Sequence, residues 1–352
     1  MTNSIESLIK TGTKLYLDSV DPTEVDKNLS WGAVGATSNP AIISAIVKQG
    51  GMDDQIEKLL GEGHDDNAIA WALTDHMVQD AQRKFQSIHE ETGGNAGWVS
   101  FELDPLLEDP SLNLNEADVV ARYLELGKKW AAGHTNRMIK VPATAAGLKA
   151  LTALAAAGIT LNVTLIFTLD QYHAAREAVW KGASQLANRD NFKSVYSIFI
   201  SRIDVYTASD VPTLTPEAQG MVGILNAKRV WKDNHAFWAD KKLPLEQELI
   251  FASTGTKNPN DPPQRYVQAL AGSDIQTNPP ETNQAIADQE IEFTRTVDQM
   301  PPQSVQDDID AKVDIKAMHQ TLMAEGVDKF VKPQRALLEL IAQKRKQLSP
   351  SS

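Results

Sequence analysis

The chain has 352 residues, 42% hydrophobic and 23% charged, a balance that provides for a sizeable core and excludes a disordered polypeptide. Its 46 acidic and 34 basic side chains leave a formal net charge of -12, which argues against a nucleic-acid-binding surface or a face for anionic membranes. The absence of cysteine excludes a disulfide framework, a zinc-thiolate site and a cysteine nucleophile.

The stretch from Met1 to Lys10 has no apolar run of signal-peptide length, and nowhere do 18 apolar residues occur together, so a cytoplasmic protein is expected. Short apolar runs alternate with segments of helical period, the pattern of βαβ units on a parallel sheet. Eight such runs occur: Lys14 to Val20, Gly32 to Asn39, Trp98 to Asp104, Arg137 to Ala143, Thr160 to Phe167, Ser194 to Arg202, Leu249 to Ser253 and Asp274 to Thr277. Asn39 before Pro40 reads as an N-cap and first helical residue. Residues 52–86, Met52 to Gln86, read as a helical insertion between the second and third strands. Gly158 closes a helix over Ala145 to Ala157, and Thr168 with Gln171 forms a capping-box signal.

After Pro301-Pro302 a helical stretch, roughly Ile309 to Leu348, makes a C-terminal extension over residues 303–348. It ends in a basic segment, Gln343 to Gln347, that reads as a solvated helix end. Insertion and extension both read as packing elements, and Ser349 to Ser352 as a frayed tail. Eight strand-helix units predict one (β/α)8 TIM-type barrel domain over residues 1–352. The alternative is an open doubly wound sheet, but neither G-x-G-x-x-G nor G-x-x-x-x-G-K-[ST] is present to support a nucleotide-binding version of it.

Strand alternation sorts polar from apolar side chains. Tyr16 and Asp18 oppose Leu15 and Leu17; Ser100, Glu102 and Asp104 oppose Phe101 and Leu103; Met138 and Lys140 oppose Ile139 and Val141. Asn162 and Thr164 oppose Val163 and Leu165, while Ser197 and Phe199 share a face with Arg202 at the strand's end. If the apolar set packs under helices, Asp18, Glu102, Lys140, Asn162, Thr164 and Ser197 converge inside the barrel. Unpaired burial would cost about 1 to 3 kcal/mol for each, so they must satisfy one another, water or a ligand. Desolvation of an amine favours its neutral form, which is the nucleophile for a carbonyl carbon. The resulting iminium withdraws electrons and allows a carbon-carbon bond to break without a metal. The seven histidines have no metal-binding spacing, and neither metal nor cofactor is expected.

Seven segments, in order, resemble the transaldolase family: Lys14-Leu-Tyr-Leu-Asp-Ser-Val20, Ala36-Thr-Ser-Asn-Pro40, Val99-Ser-Phe-Glu-Leu-Asp104, Met138-Ile-Lys-Val-Pro-Ala-Thr144, Leu161-Asn-Val-Thr-Leu-Ile-Phe-Thr168, Ser197-Ile-Phe-Ile-Ser-Arg202 and Ala252-Ser-Thr-Gly-Thr-Lys257. Leu322 to Phe330 is similar to the longer bacterial branch. The resemblance implies a Schiff base between Lys140 and a ketose phosphate, with Asp18 taking and returning the proton of the donor hydroxyl. It implies that Glu102 and Thr164 hold the water of carbinolamine chemistry, and that Asn39, Asn162 and Ser197 bind the dihydroxyacetone unit. Arg202, Ser253 and Lys257 would hold the phosphate, with Lys257 standing where the family often has arginine.

Those implications make the partners small sugar phosphates such as sedoheptulose 7-phosphate and fructose 6-phosphate, with no nucleic acid and no membrane; the oligomeric state stays open. Related fructose-6-phosphate aldolases have shorter chains and tend to carry tyrosine where Phe199 stands, which favours transfer over simple release. A non-catalytic sugar-phosphate-binding barrel is the third possibility. Individual residues also have plain structural readings: Asn39 as a cap, Asp18 and Glu102 as ion-pair partners, Thr164 as packing, Asn162 and Ser197 as partners for backbone groups, Arg202 as a partner of Asp204, and Lys257 as a solvated loop lysine.

Overall fold

The computed structural model describes residues 3–348, so Ser349 to Ser352 lie outside the described residues. Eight strands run parallel and in chain order: β1 (Lys14–Leu17), β2 (Gly35–Thr37), β3 (Trp98–Glu102), β4 (Arg137–Pro142), β5 (Leu161–Ile166), β6 (Ser194–Phe199), β7 (Glu248–Ala252) and β8 (Ile275–Asn278). Each pairs with the next, and β8 returns to β1, Lys14 opposite Ile275 and Leu17 opposite Asn278. The sheet is therefore a closed (β/α)8 barrel rather than an open doubly wound sheet. Among the described residues no helix is long and apolar enough to cross a membrane.

Alternation accounts for the two layers of core. Ile139, Val141, Val163, Ile198, Leu249 and Phe251 point outward and pack with helix residues such as Ala150, Leu154 and Tyr172. Tyr16, Trp98, Met138, Val195, Ile250 and Ile275 share the parity of the polar set and fill the barrel's interior below it. Gly35 makes this filling possible: a Cβ there would lie 2.3 Å from Cζ of Tyr16. Buried strands of this kind each contribute roughly 1.5–3 kcal/mol per large apolar side chain.

Two strand expectations fail at their C-terminal ends. The β5–β6 register shifts between Val163 and Ile166, and Leu165 takes a left-handed φ of 58°. This bulge moves Leu165 off Val163's face to pack with Phe167 and Phe199, while Ile166 joins the outer layer. In the second case β6 stops at Phe199, and Arg202 lies in the first turn of a helix, Ser201–Asp210.

Helix ends follow local chemistry. Asn39 accepts from the amides of Ala41 and Ile42, capping Pro40–Lys48. Ala145–Ala156 ends before Gly158, whose φ is 74°. Thr168 accepts from the Gln171 amide, but the Gln171 side chain accepts from Phe167 and donates to Leu165, so the capping box closes one residue early.

The 52–86 region forms Asp53–Gly61 and most of Asp66–Glu91, which packs on β3. The C-terminal helix Ile315–Leu348 has two destinations. Leu337 and Ile341 pack with Ile43, Val47, Ile69 and Leu73, secured by Arg335–Asp109, Lys344–Asp53 and Arg345–Asp66 pairs. Met318, Leu322 and Phe330 instead join Leu165, Phe167 and Phe199 at the barrel mouth. Pro333 lies inside this helix and has no N–H to give the Lys329 carbonyl.

Candidate active site

A cavity of about 500 Å³ opens at the C-terminal ends of the strands, the end where barrel enzymes place their chemistry. It is lined by Asp18, Asn39, Lys140, Thr164, Ser197, Phe199, Arg202, Ser253 and Lys257, nine of the eleven residues singled out in the sequence. Glu102 and Asn162 lie behind this wall. Glu102 accepts from Nζ of Lys140 at 3.1 Å, and Asn162 accepts from the Ser197 hydroxyl at 2.7 Å while donating to Ser100 at 2.9 Å.

Lys140 is held by a short list of groups. Its Nζ donates to Glu102 and to the Ser38 carbonyl at 3.2 Å, and lies 5.3 Å from the centre of the Phe330 ring. Only 5% of Lys140 is exposed, so what little access it has is through the cavity. Asp18 lies just past β1, where Thr37 donates to its Oδ1 at 2.9 Å; Thr37 is itself 2.8 Å from Thr277.

Electrostatics distinguish these acids from surface carboxylates. Burial pushes Glu102 up to about 7, with Lys140's charge and hydrogen bond offsetting part of the shift. Asp18 is also raised, again by burial, while Lys140 and the Thr37 hydroxyl act in the opposite direction. Two polar atoms at the cavity, Oγ1 of Thr164 and Nη1 of Arg202, are buried with no partner among the described residues. Burial depresses the Arg202 pKa, and its guanidinium sits 5.0 Å from the Phe199 ring centre. Asp204 is not its partner: that carboxylate accepts from the Gly223 amide and the Tyr266 hydroxyl. Ser253, in a left-handed conformation with φ 56°, shares a hydrogen bond of 2.8 Å with Ser201.

The structure adds residues that sequence reading passed over. Thr37 and Thr277 were open to the same alternation argument, but their strands are short. Glu325, Lys329 and Phe330 also line the cavity, so the C-terminal helix is part of the site's wall and not merely a packing element. Its helical period signals one buried face without saying what that face meets. Asp104, placed inward by alternation, instead caps a short 3-10 helix, Pro105–Glu108. Among the described residues no group of three or more His, Asp or Glu side chains is placed to hold a metal ion.

The sequence profile of the family described as Transaldolase/Fructose-6-phosphate aldolase matches residues 15–341. The chain is 31% identical to Transaldolase 2 of Streptomyces avermitilis, with all of both chains covered. It is 32% identical to a transaldolase of Saccharopolyspora erythraea, covering 97% of each, and 33% identical to one of Mycolicibacterium paratuberculosis, covering 91% of this chain and 88% of that one. A match of this extent, on a closed barrel whose mouth gathers a buried lysine and two carboxylates, makes the chain an enzyme of the transaldolase/fructose-6-phosphate aldolase family.

Proposed function

We propose that the enzyme is a transaldolase that moves a dihydroxyacetone unit from a ketose phosphate, such as sedoheptulose 7-phosphate or fructose 6-phosphate, to an aldose phosphate. The reaction belongs to the cytoplasmic pentose phosphate pathway. The observation that carries the reading is Lys140, an almost fully buried amine whose Nζ reaches Glu102 at 3.1 Å beside a polar cavity.

The Lys140 nitrogen adds to the ketose carbonyl, and the carbinolamine loses water to give an iminium. Glu102, poised at about 7, exchanges the protons of these steps near neutral pH. The unpartnered Thr164 hydroxyl is available to the departing and returning water. Asp18 takes the proton from the hydroxyl beyond the bond to be broken; that bond's electrons pass to the iminium as an enamine, and the aldose leaves. The enamine then adds to the aldehyde of the acceptor, Asp18 returns its proton, and water frees Lys140. Asn39, Asn162 and Ser197 serve the dihydroxyacetone hydroxyls, and Arg202, Ser253 and Lys257 the phosphate. Phe199 offers no hydroxyl to protonate the enamine or orient water, which favours transfer over release of dihydroxyacetone.

Borohydride reduction in the presence of fructose 6-phosphate tests the proposal. The peptide containing Lys140 is expected to gain the reduced sugar's mass, and Lys140→Met to lose both the adduct and turnover. An undiminished adduct in Lys140→Met would place the chemistry elsewhere.

A further inference from the structure

The C-terminal helix sends more than an aromatic cap to the barrel mouth. Glu325 and Lys329, four residues apart, line the same cavity as Arg202 and Lys257. Lys329 is 3.9 Å from Glu325, a loose pair, while Arg202 and Lys257 make no ion pair among the described residues. These three cations therefore line one cavity, whose own carboxylates are Asp18 near Lys140 and Glu325 on the helix, in a chain whose net charge is -12. Long-range attraction cannot explain how such a chain recruits an anion; a local concentration of cations can.

An ordinary i,i+4 Glu–Lys pair on a solvated helix would stabilise that helix slightly and do nothing else. Lys329 is in a different situation. Its pKa is lowered, first by burial and then by the charges of Arg202 and Lys257, with Glu325 working the other way. Like charges held together destabilise the empty site, and an arriving anion relieves all of them together.

We propose that Lys329 is a specificity-determining residue, a third cation that clamps the substrate's phosphate from the C-terminal helix while Arg202 and Lys257 hold it from the barrel. The inference rests on reading the cavity as a ketose phosphate site. It gives the helix a role in substrate choice, and it supplies a partner for Lys257, which lacks the planar fork an arginine would bring.

The test compares kcat/KM for fructose 6-phosphate and fructose in wild type, Lys329→Met, Lys329→Arg and Arg202→Ala, at fixed ionic strength, with inhibition by inorganic phosphate measured alongside. Lys329→Met is expected to lower kcat/KM for the phosphorylated donor about 5- to 20-fold, chiefly through KM, and to weaken phosphate inhibition to the same degree, because a half-exposed ammonium contributes less than a buried one. Fructose should change by less than about twofold, and Lys329→Arg should recover most of the loss. Unaltered discrimination in Lys329→Met, or equal losses for both donors, would overturn the assignment of Lys329. If wild type does not prefer the phosphorylated donor and Arg202→Ala has no effect, the ketose phosphate reading itself fails, and the clamp with it.

Discussion

Two buried lysine–glutamate pairs sit at opposite ends of this barrel, and their surroundings differ. At the mouth, Lys140 meets Glu102 and one carbonyl, and the surrounding Thr164 and Arg202 atoms have no partners. At the floor, Lys193, which is wholly buried, pairs with Glu248 and donates to the Glu246 carbonyl at 2.5 Å; Glu248 is bridged from its other oxygen by Lys14 at 2.7 Å. Burial alone would rank Lys193 above Lys140 as an unusual lysine. What separates them is saturation: Glu248 also borders a cavity, but both its oxygens are held by lysines, while the cavity at the mouth is bordered by groups left to satisfy.

The carboxylates divide in the same way. Burial raises Asp18 and Glu102 at the mouth. At the floor burial also acts to raise Asp274, but hydrogen bonds from His235, Ser273 and the Leu249 amide outweigh it and hold the group below the usual range. Glu246 is lowered too, its burial outweighed by Lys14. At the floor hydrogen bonds and cations favour the ionised acids, whereas at the mouth burial outweighs them and favours the protonated ones.

The comparison breaks most visibly at Asp18. Asp18→Ala is expected to keep the borohydride-trappable adduct while losing about 100-fold or more in turnover, the range for a lost general acid-base group. Near-normal turnover would remove Asp18 from the chemistry and leave it a structural acid like those at the floor.

Lys193→Met is the converse. It leaves Glu248 with Lys14 alone, and denaturant unfolding is expected to show a loss of about 3 kcal/mol, the lower end for breaking a buried pair, with kcat of the folded enzyme unchanged. A fall in kcat without a fall in stability would mean that the two ends are not functionally distinct.

A third effect, comparable in size to the second, is on the pH dependence of stability. Glu102 is held at about 7 against an ordinary 4.5, so its contribution is fully present below about 4.5 and is lost as pH rises through about 7. The stability of wild type relative to Glu102→Gln should therefore fall by roughly 3 kcal/mol over that window, at about 1.4 kcal/mol per pH unit. For Asp274→Asn the sign reverses: the lowered carboxyl contributes above its ordinary 3.8 and loses its contribution as pH falls through its depressed value. Unfolding midpoints across the two windows check both, and parallel curves for Glu102→Gln and wild type would show that Glu102 does not titrate there.

The sequence by itself determined the eight strands, the faces that point inward and the helix starts at Asn39 and Thr168, because alternation and capping act over a few residues. It also singled out Lys140 with Asp18 and Glu102, since polar residues recurring on one parity of apolar strands must satisfy one another, water or a ligand. Only the tertiary structure decided where that reading bends: a single extra residue at the β5 bulge turns Leu165 to the other face, and β6 yields to a helix before Arg202. Only the tertiary structure, likewise, brought Phe330 over Lys140 and Lys329 beside Arg202. The segment 315–348 reads locally as an amphipathic helix, and its period specifies a buried face; which surface receives that face depends on contacts with residues more than 100 positions away, and no local pattern encodes them.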